Sequence, residues 1–290
     1  MMKRALSIAL LLPLAAGLQA RPFDVDDMVR LQRMSDPQLR ADGKALVYTL
    51  RQTDWDANKG LQSLWQLSLD GKSAPQRLTA TGSNAMHPRY APNEALYFLS
   101  TRSGSAQVWM LDGPGEARQV SELPLDVGGF LISPDGKRLA LALEVYPECG
   151  ADFDCTKKRA DADTAEKASG TLHDKLFVRH WDTWQRGTRA QLFVFDLDGN
   201  GKISGTPIWA SKGIDGDAPT KPFGDLSEVA FSPNAKQLVF TARIAGKTEP
   251  WSTNTDLYRV TLGSEAAAEN LTSAYPGYDT SPVYSPDGNK

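Results

Sequence analysis

No ready-made catalytic centre is written into this sequence. A G-x-S-x-G turn does not occur, so the strained strand-to-helix corner that exposes a nucleophilic serine in an α/β-hydrolase is missing. Histidine is scarce as well: His87, His173 and His180 are the three, and none stands in a recognisable nucleophile, acid-base or metal-ligand spacing. His87 precedes Pro88 in a repeated corner, where a structural role is expected. The chain is therefore expected to hold no catalytic residue, cofactor or metal of its own.

Two further shortages narrow the class. The 32 basic and 35 acidic residues leave a net charge of −3 with no long run of one sign, which excludes nucleic acid and anionic membrane surfaces as principal partners. Long apolar runs are confined to the N-terminus, where Lys3 and Arg4 precede Ala5 to Leu12 and a small-residue stretch ends at Ala20. This is the anatomy of a secretory signal peptide over residues 1–20, a permanent membrane helix being the alternative, although the run is short for a bilayer. The mature protein is expected to start near Arg21 and to be exported, periplasmic or secreted, with no membrane contact after cleavage. Cysteine is limited to Cys149 and Cys155, six positions apart. Export places them in an oxidising compartment, so a local disulfide is favoured over a zinc site, which would want a nearby His pair, or a lone nucleophile.

What the chain does have is a repeat. "ISPDGKRLALAL" from Ile132 to Leu143 has counterparts at Leu39, Tyr90, Phe231 and Tyr284. Each joins an apolar residue, a turn bearing Asp or Asn, and in all but the last a short apolar strand. Pro presets the turn, Asp or Asn accepts a local backbone hydrogen bond, and Gly tolerates the exit conformation. The aligned markers are Asp42, Asn93, Asp135, Asn234 and Asp287, with steps of 51, 42, 99 and 53 residues. Three steps fit one propeller blade and the fourth fits a blade plus an insertion. A second strand carrying an aromatic follows each of the first four corners, and Tyr258, Val260 and Leu262 alternate with Arg259 and Thr261 at the strand period. A β-sandwich is the alternative, but sandwiches rarely repeat one turn at blade spacing. With 41% hydrophobic residues, 24 Gly and 18 Pro, the expected fold is all-β, a β-propeller of four-stranded blades. About four blades and the start of a fifth are present, stopping before closure.

The expected organisation is a leading helical segment over 21–38, with Asp24 as N-cap and Val25, Met28 and Val29 on one face packed beside the first blade. An incomplete propeller over 39–290 follows. From corner marker to second strand, three blades take 22, 15 and 23 residues but the third takes 57, so roughly 35 residues are extra within about 144–188. Arg159, Asp163 and Lys167 there are spaced for one helix face, read as a solvated charged helix. Phe177, Trp181 and Trp184 then stand beside Arg179, His180 and Asp182. Aromatics mixed with charges can form a rim that grips a peptide, or can simply pack the blades. Asp196, Asp198, Asn200 and Gly201 resemble a calcium loop, but Pro207 stands where a bidentate Glu is required, and the segment equally suits a hairpin tip. Glu144 and Glu148 border the cysteine loop, where a carboxylate could pair with a peptide's free amino terminus or simply face solvent.

Together, "DVDDMVRLQRMSDPQLRADGKALVYTL" and "LFVRHWDTWQRGTRAQLFVF" resemble the propeller of bacterial serine peptidases of the prolyl oligopeptidase family. The likeness is to the acylaminoacyl-peptidase and dipeptidyl-peptidase branch, especially its exported type, and covers nearly all of residues 21–290. The corners alone are weakly specific, since TolB-like propellers share them; the His-Trp-Asp-Thr-Trp stretch is more so. The resemblance implies a C-terminal α/β-hydrolase domain in the same parent chain carrying the Ser, Asp and His triad, with the propeller limiting entry to short peptides. No triad position exists here to receive those roles. A non-enzymatic, TolB-like periplasmic propeller that binds protein partners is the alternative function.

Overall fold

The computed structural model describes residues 21–290 apart from 114, 169, 171, 174–178, 181, 182 and 245 and the side chain of His180. The expected signal peptide, residues 1–20, lies outside the described residues. A short helix, α1 (Val25–Arg30), leads in. Asp24 caps it as expected: its side chain accepts from Asp27 N at 3.0 Å, while the Asp27 carboxylate accepts from Asp24 N at 3.1 Å.

Four antiparallel four-stranded sheets follow among the described residues, each a meander in chain order. Blade one is β1 (Arg33–Leu39), β2 (Ala45–Asp54), β3 (Lys59–Ser68) and β4 (Gln76–Arg77); blade two is β5 (Ala85–Tyr90), β6 (Leu96–Ser100), β7 (Gln107–Leu111) and β8 (Arg118–Gln119). Blade three opens with β9 (Val127–Ile132) and β10 (Arg138–Val145). It is then interrupted by a helix, α2 (Phe153–Ala165), and a small hairpin, β11 (Arg179–His180) and β12 (Thr183–Trp184). It resumes with β13 (Arg189–Leu197) and β14 (Ile203–Trp209), and blade four is β15 (Val229–Phe231), β16 (Gln237–Ala242), β17 (Asp256–Thr261) and β18 (Glu269–Asn270). The fold is the all-β propeller that the repeat spacing predicts.

The N-terminal boundary differs from the sequence reading. Residues 33–39 form the first strand of blade one, so the helical segment does not extend to 38. Pro37 is the reason: it disfavours helix at Asp36, and it is tolerated in a strand at a bulge. Asp36 has φ of 50° there, and the β1–β2 register shifts between Ser35 and Gln38. The apolar face of α1 also does not pack as expected, since Val25 and Met28 stay exposed.

All five corners are built alike. The side chains of Asp42, Asn93, Asp135, Asn234 and Asp287 accept from the backbone N–H two residues on, at 2.9, 3.2, 3.1, 3.0 and 3.1 Å. The residue between lies in the left-handed region at each: Gly43, Glu94, Gly136, Ala235 and Gly288, with φ from 56° to 72°. An L side chain there costs roughly 1–2 kcal/mol, partly offset by the extra freedom of glycine in the unfolded chain. Glu94→Gly is therefore expected to stabilise the protein by about 0.5–1 kcal/mol, read as a higher urea midpoint.

Asp corners also respond to acid. The Asp42 carboxyl is lowered from 3.8 to about 2 by the Arg40 guanidinium and the Lys44 N–H. Its contribution is whole above about pH 4 and is lost as the pH falls toward 2, because folding favours the ionised form. Asp42→Asn keeps the backbone acceptor used at Asn93 and Asn234. Melting curves at pH 4.5 and 2.5 should show a smaller acid loss for this variant than for the unsubstituted protein.

The core lies between blades because each inner strand is covered on both faces, which explains why β10 and β13 read as near-continuous apolar runs. Leu139, Leu141, Leu143, Phe193 and Phe195 pack toward Tyr97, Leu99, Val108 and Met110 of blade two. Ala140, Ala142, Leu192 and Val194, on the opposite face, pack toward Phe231, Leu238 and Phe240 of blade four. A hydroxyl after the fourth strand also ties each blade. Thr79, Ser121, Ser211 and Thr272 accept from the N–H of Leu64, Val108, Leu192 and Leu257 at 3.0, 2.9, 2.9 and 3.1 Å.

Since strands alternate in direction, every corner falls on one face of the propeller. The second-to-third-strand connections and the crossovers between blades fall on the other. The chain leaves β10 and returns to β13 on that second face, here termed the insertion face.

Candidate functional site

Where β10 ends and β13 begins, Val145 pairs with Arg189 and Glu144 with Ala190. The ladder thus presents Glu144 and Arg189 together at the root of the insertion. Arg189 is nearly buried. It donates to Glu249, on the second-to-third-strand connection of blade four, at 2.6 and 3.0 Å, and to Asp217, on the crossover from blade three, at 3.1 Å. Burial alone would lower the Arg189 pKa; the Glu249 and Asp217 carboxylates outweigh it and hold the guanidinium charged.

Asp217 is itself buried, with Ala190 N donating to it at 2.8 Å. Lys221, four residues along the same crossover, reaches both Asp217, at 3.3 Å, and Glu144, at 2.8 Å. Burial would depress the Lys221 ammonium, but Asp217 and Glu144 together raise its pKa. The result is a chain of alternating charges, Glu249, Arg189, Asp217, Lys221 and Glu144, that binds three segments of the insertion face. Its outermost carboxylate, Glu144, is the exposed end.

A second cluster shapes the insertion itself. Cys149 and Cys155 are joined by a disulfide, Cα atoms 5.7 Å apart. Asp152 caps α2 by accepting from Cys155 N at 2.9 Å, so the bridge sits across the helix entry. The helix starts earlier than the charge pattern implies and is not polar all round: Phe153 and Thr156 are buried. Phe153 meets Phe193 edge-on with centroids 5.0 Å apart. The expected Arg159 to Asp163 pairing is replaced. Arg159 lies over the Tyr146 ring at 4.1 Å and donates to Glu148 at 3.2 Å, while the Tyr146 hydroxyl donates to Asp163. Burial, then Asp163, pushes the Tyr146 hydroxyl up to about 12. Lys167 falls beyond the end of α2.

The two carboxylates flagged in the sequence therefore have different settings. Glu144 belongs to the ion-pair chain, whereas Glu148 is tied to Arg159 in the disulfide loop. Trp181 and Asp182, with Phe177, lie outside the described residues. Of their neighbours, Trp184 is partly exposed, with Arg179 over its ring at 5.1 Å. The calcium-like segment is a hairpin tip between β13 and β14. Asp198 accepts from Asn200 N and Lys202 N at 2.8 and 2.9 Å, and Asp196 pairs with Arg138. Sequence reasoning missed Arg189, Asp217, Lys221 and Glu249. No local pattern marks them, because Glu144 and Lys221 are 77 positions apart and Arg189 and Glu249 are 60.

The insertion face is also the more apolar one. Trp55, Trp184, Phe223, Trp251, Tyr275 and Tyr278 are exposed on its connections. On the corner face the large exposed apolar side chains among the described residues are Leu39 and Leu69.

Comparison with known proteins agrees with this architecture. The chain is 30% identical over 265 residues to Dipeptidyl-peptidase 5 of Porphyromonas endodontalis and 30% over 261 residues to that of Porphyromonas gingivalis. These alignments take in 90% and 89% of this chain but 36% of each relative, so the chain spans about a third of their length. No family model matches. Among solved structures, an acylaminoacyl peptidase in complex with Z-Gly-Gly-Phe-chloromethyl ketone aligns with a TM-score of 0.57 at 14% identity, covering 85% of this chain and 33% of that one. The Pyrococcus horikoshii acylaminoacyl peptidase aligns with a TM-score of 0.56 at 15% identity, covering 84% and 33%. Those two likenesses concern the fold. Taken with the sequence relatives and the blades, they show that this chain corresponds to the N-terminal propeller portion of peptidases of the prolyl oligopeptidase family.

Proposed function

We propose that this chain is the substrate-gating propeller of an exported serine exopeptidase, of dipeptidyl- or acylaminoacyl-peptidase type, that hydrolyses short peptides. In this reading the Ser, Asp and His triad belongs to an α/β-hydrolase domain of the same parent chain. The observation that carries it is the two-sidedness of the propeller: the insertion, the ion-pair chain and the exposed aromatics share one face, while the corner face is polar. A face of that kind suits a catalytic domain and the peptides passing between the two, since apolar patches rimmed by polar groups mark interaction surfaces. Glu144, on that face, supplies a carboxylate for a peptide's amino terminus. Trp181 and Asp182 belong to the same reading as rim residues. Glu148, engaged by Arg159, serves the disulfide loop instead. The bridge between Cys149 and Cys155 supports export, because such bonds persist in oxidising compartments.

The test is the reading frame downstream of Lys290. A G-x-S-x-G followed by Asp and His is the expected result. A stop codon soon after the blades close would sink the enzyme reading and leave a partner-binding propeller.

A further inference from the structure

The ion-pair chain has one link that differs from the others. Lys221 has two carboxylate partners of unequal standing. Asp217 is fixed: its side chain is 7% exposed, and Ala190 N and Arg189 also donate to it at 2.8 and 3.1 Å. Glu144 is open: its side chain is 50% exposed and, within the network, it meets Lys221 at 2.8 Å through each oxygen. Breaking a buried pair leaves an uncompensated charge, whereas opening a solvated one costs little. The bond from Lys221 to Glu144 is therefore the exchangeable one.

We propose that Lys221 occupies the site at Glu144 as an internal stand-in, and that the primary ammonium of an incoming peptide's amino terminus displaces it, leaving Lys221 on Asp217. This rests on the reading of Glu144 as the amino-terminus site. The chemistry of exchange is like for like. A lysine ammonium and a peptide amino terminus are both compact cations with three donors, so the ligand reproduces the contacts that Lys221 gives up. Asp217 remains beside Lys221 throughout, so no charge is stranded. An N-acylated peptide carries no ammonium and cannot compete. The device thus selects free amino termini and rejects blocked ones, which favours the dipeptidyl over the acylaminoacyl specificity. It also lowers the apparent affinity of every free-amine ligand by the fraction of time Lys221 holds the site.

The experiment is calorimetric titration of the 290-residue protein with Ala-Ala-amide and with N-acetyl-Ala-Ala-amide. Lys221→Met is expected to tighten Ala-Ala-amide about tenfold, as removal of a resident competitor that holds the site about nine-tenths of the time would do. Binding of the acetylated probe should not change. Unchanged, weakened or absent binding of Ala-Ala-amide to this variant overturns the displacement proposal. Glu144→Gln separates the two layers. If it loses Ala-Ala-amide binding while Lys221→Met gains nothing, the ammonium site stands and Lys221 is not its competitor. If it binds as well as the unsubstituted protein, the ammonium site itself fails and the proposal falls with it. A readout free of any substitution is the nitrogen-15 resonance of the Lys221 ammonium. It should move on addition of Ala-Ala-amide and stay still with the acetylated probe; movement with both, or with neither, contradicts displacement.

Discussion

Arg189→Met is expected to lower the stability of the protein by about 3–5 kcal/mol, the usual cost of removing one partner from a buried ionic cluster. The side chains left behind, Asp217 and Glu249, are 7% and 12% exposed, and each would keep a charge in a poorly solvated place. The guanidinium also joins β13 to the blade-three crossover and the blade-four connection. A urea denaturation series checks the magnitude. Neutralising the two carboxylates that lose the guanidinium distinguishes the cause: Asp217→Asn with Glu249→Gln, added to Arg189→Met, should recover much of the loss. If the triple variant is no more stable than Arg189→Met alone, lost packing of the arginine stem is responsible, and the electrostatic account is wrong.

Phe193→Ala should cost a similar amount, about 3–5 kcal/mol, through loss of burial and the cavity that remains. Its consequence is more local than the number implies. Phe193 is fully buried and is flanked by Phe153 from α2 and by Trp209 of β14, the latter stacked with centroids 5.9 Å apart. Truncation removes the surface on which the insertion helix rests. Phe240, equally buried between blades three and four, belongs to the other core cluster and stacks on Tyr258 with ring centroids 6.0 Å apart. Limited proteolysis should therefore cut the 146–188 insertion faster in Phe193→Ala than in Phe240→Ala at matched stability. Equal cutting rates would show that the insertion does not depend on this aromatic contact.

The sequence made different parts of this molecule legible to different degrees. Corners were readable because their chemistry is local: a marker Asp or Asn bonds two residues ahead, and the left-handed residue sits between. Blade boundaries followed from the marker spacing, and the interruption of blade three stood out as a change in one interval. The first strand was misplaced because Asp36 and Pro37 interrupt its pattern, a bulge that reads as a break. The helix of the insertion was visible, but its buried Phe153 was not, since one aromatic at the N-terminal end leaves the charge pattern beyond it unchanged. The hydroxyls at Thr79, Ser121, Ser211 and Thr272 recur at unequal distances from the strands they hold, which hides them from a fixed-period search. The Arg189 cluster was least accessible of all. Its members belong to the paired ends of β10 and β13, the blade-three crossover and the blade-four connection, brought together by the packing of blades three and four, and nothing in any one stretch announces the others.

In the proposed reading, the polar corner face and the aromatic, charge-laced insertion face let the propeller work against a catalytic domain seated on the second face, and Glu144 receives a free amino terminus there. The most direct test of this account is hydrolysis by the product of the whole reading frame, using Ala-Ala-p-nitroanilide and its N-acetyl counterpart. The account predicts release of nitroaniline from the free-amine substrate, abolished by a serine-directed fluorophosphonate and strongly reduced by Glu144→Gln through a raised KM. Absence of serine-dependent cleavage of either substrate would contradict it.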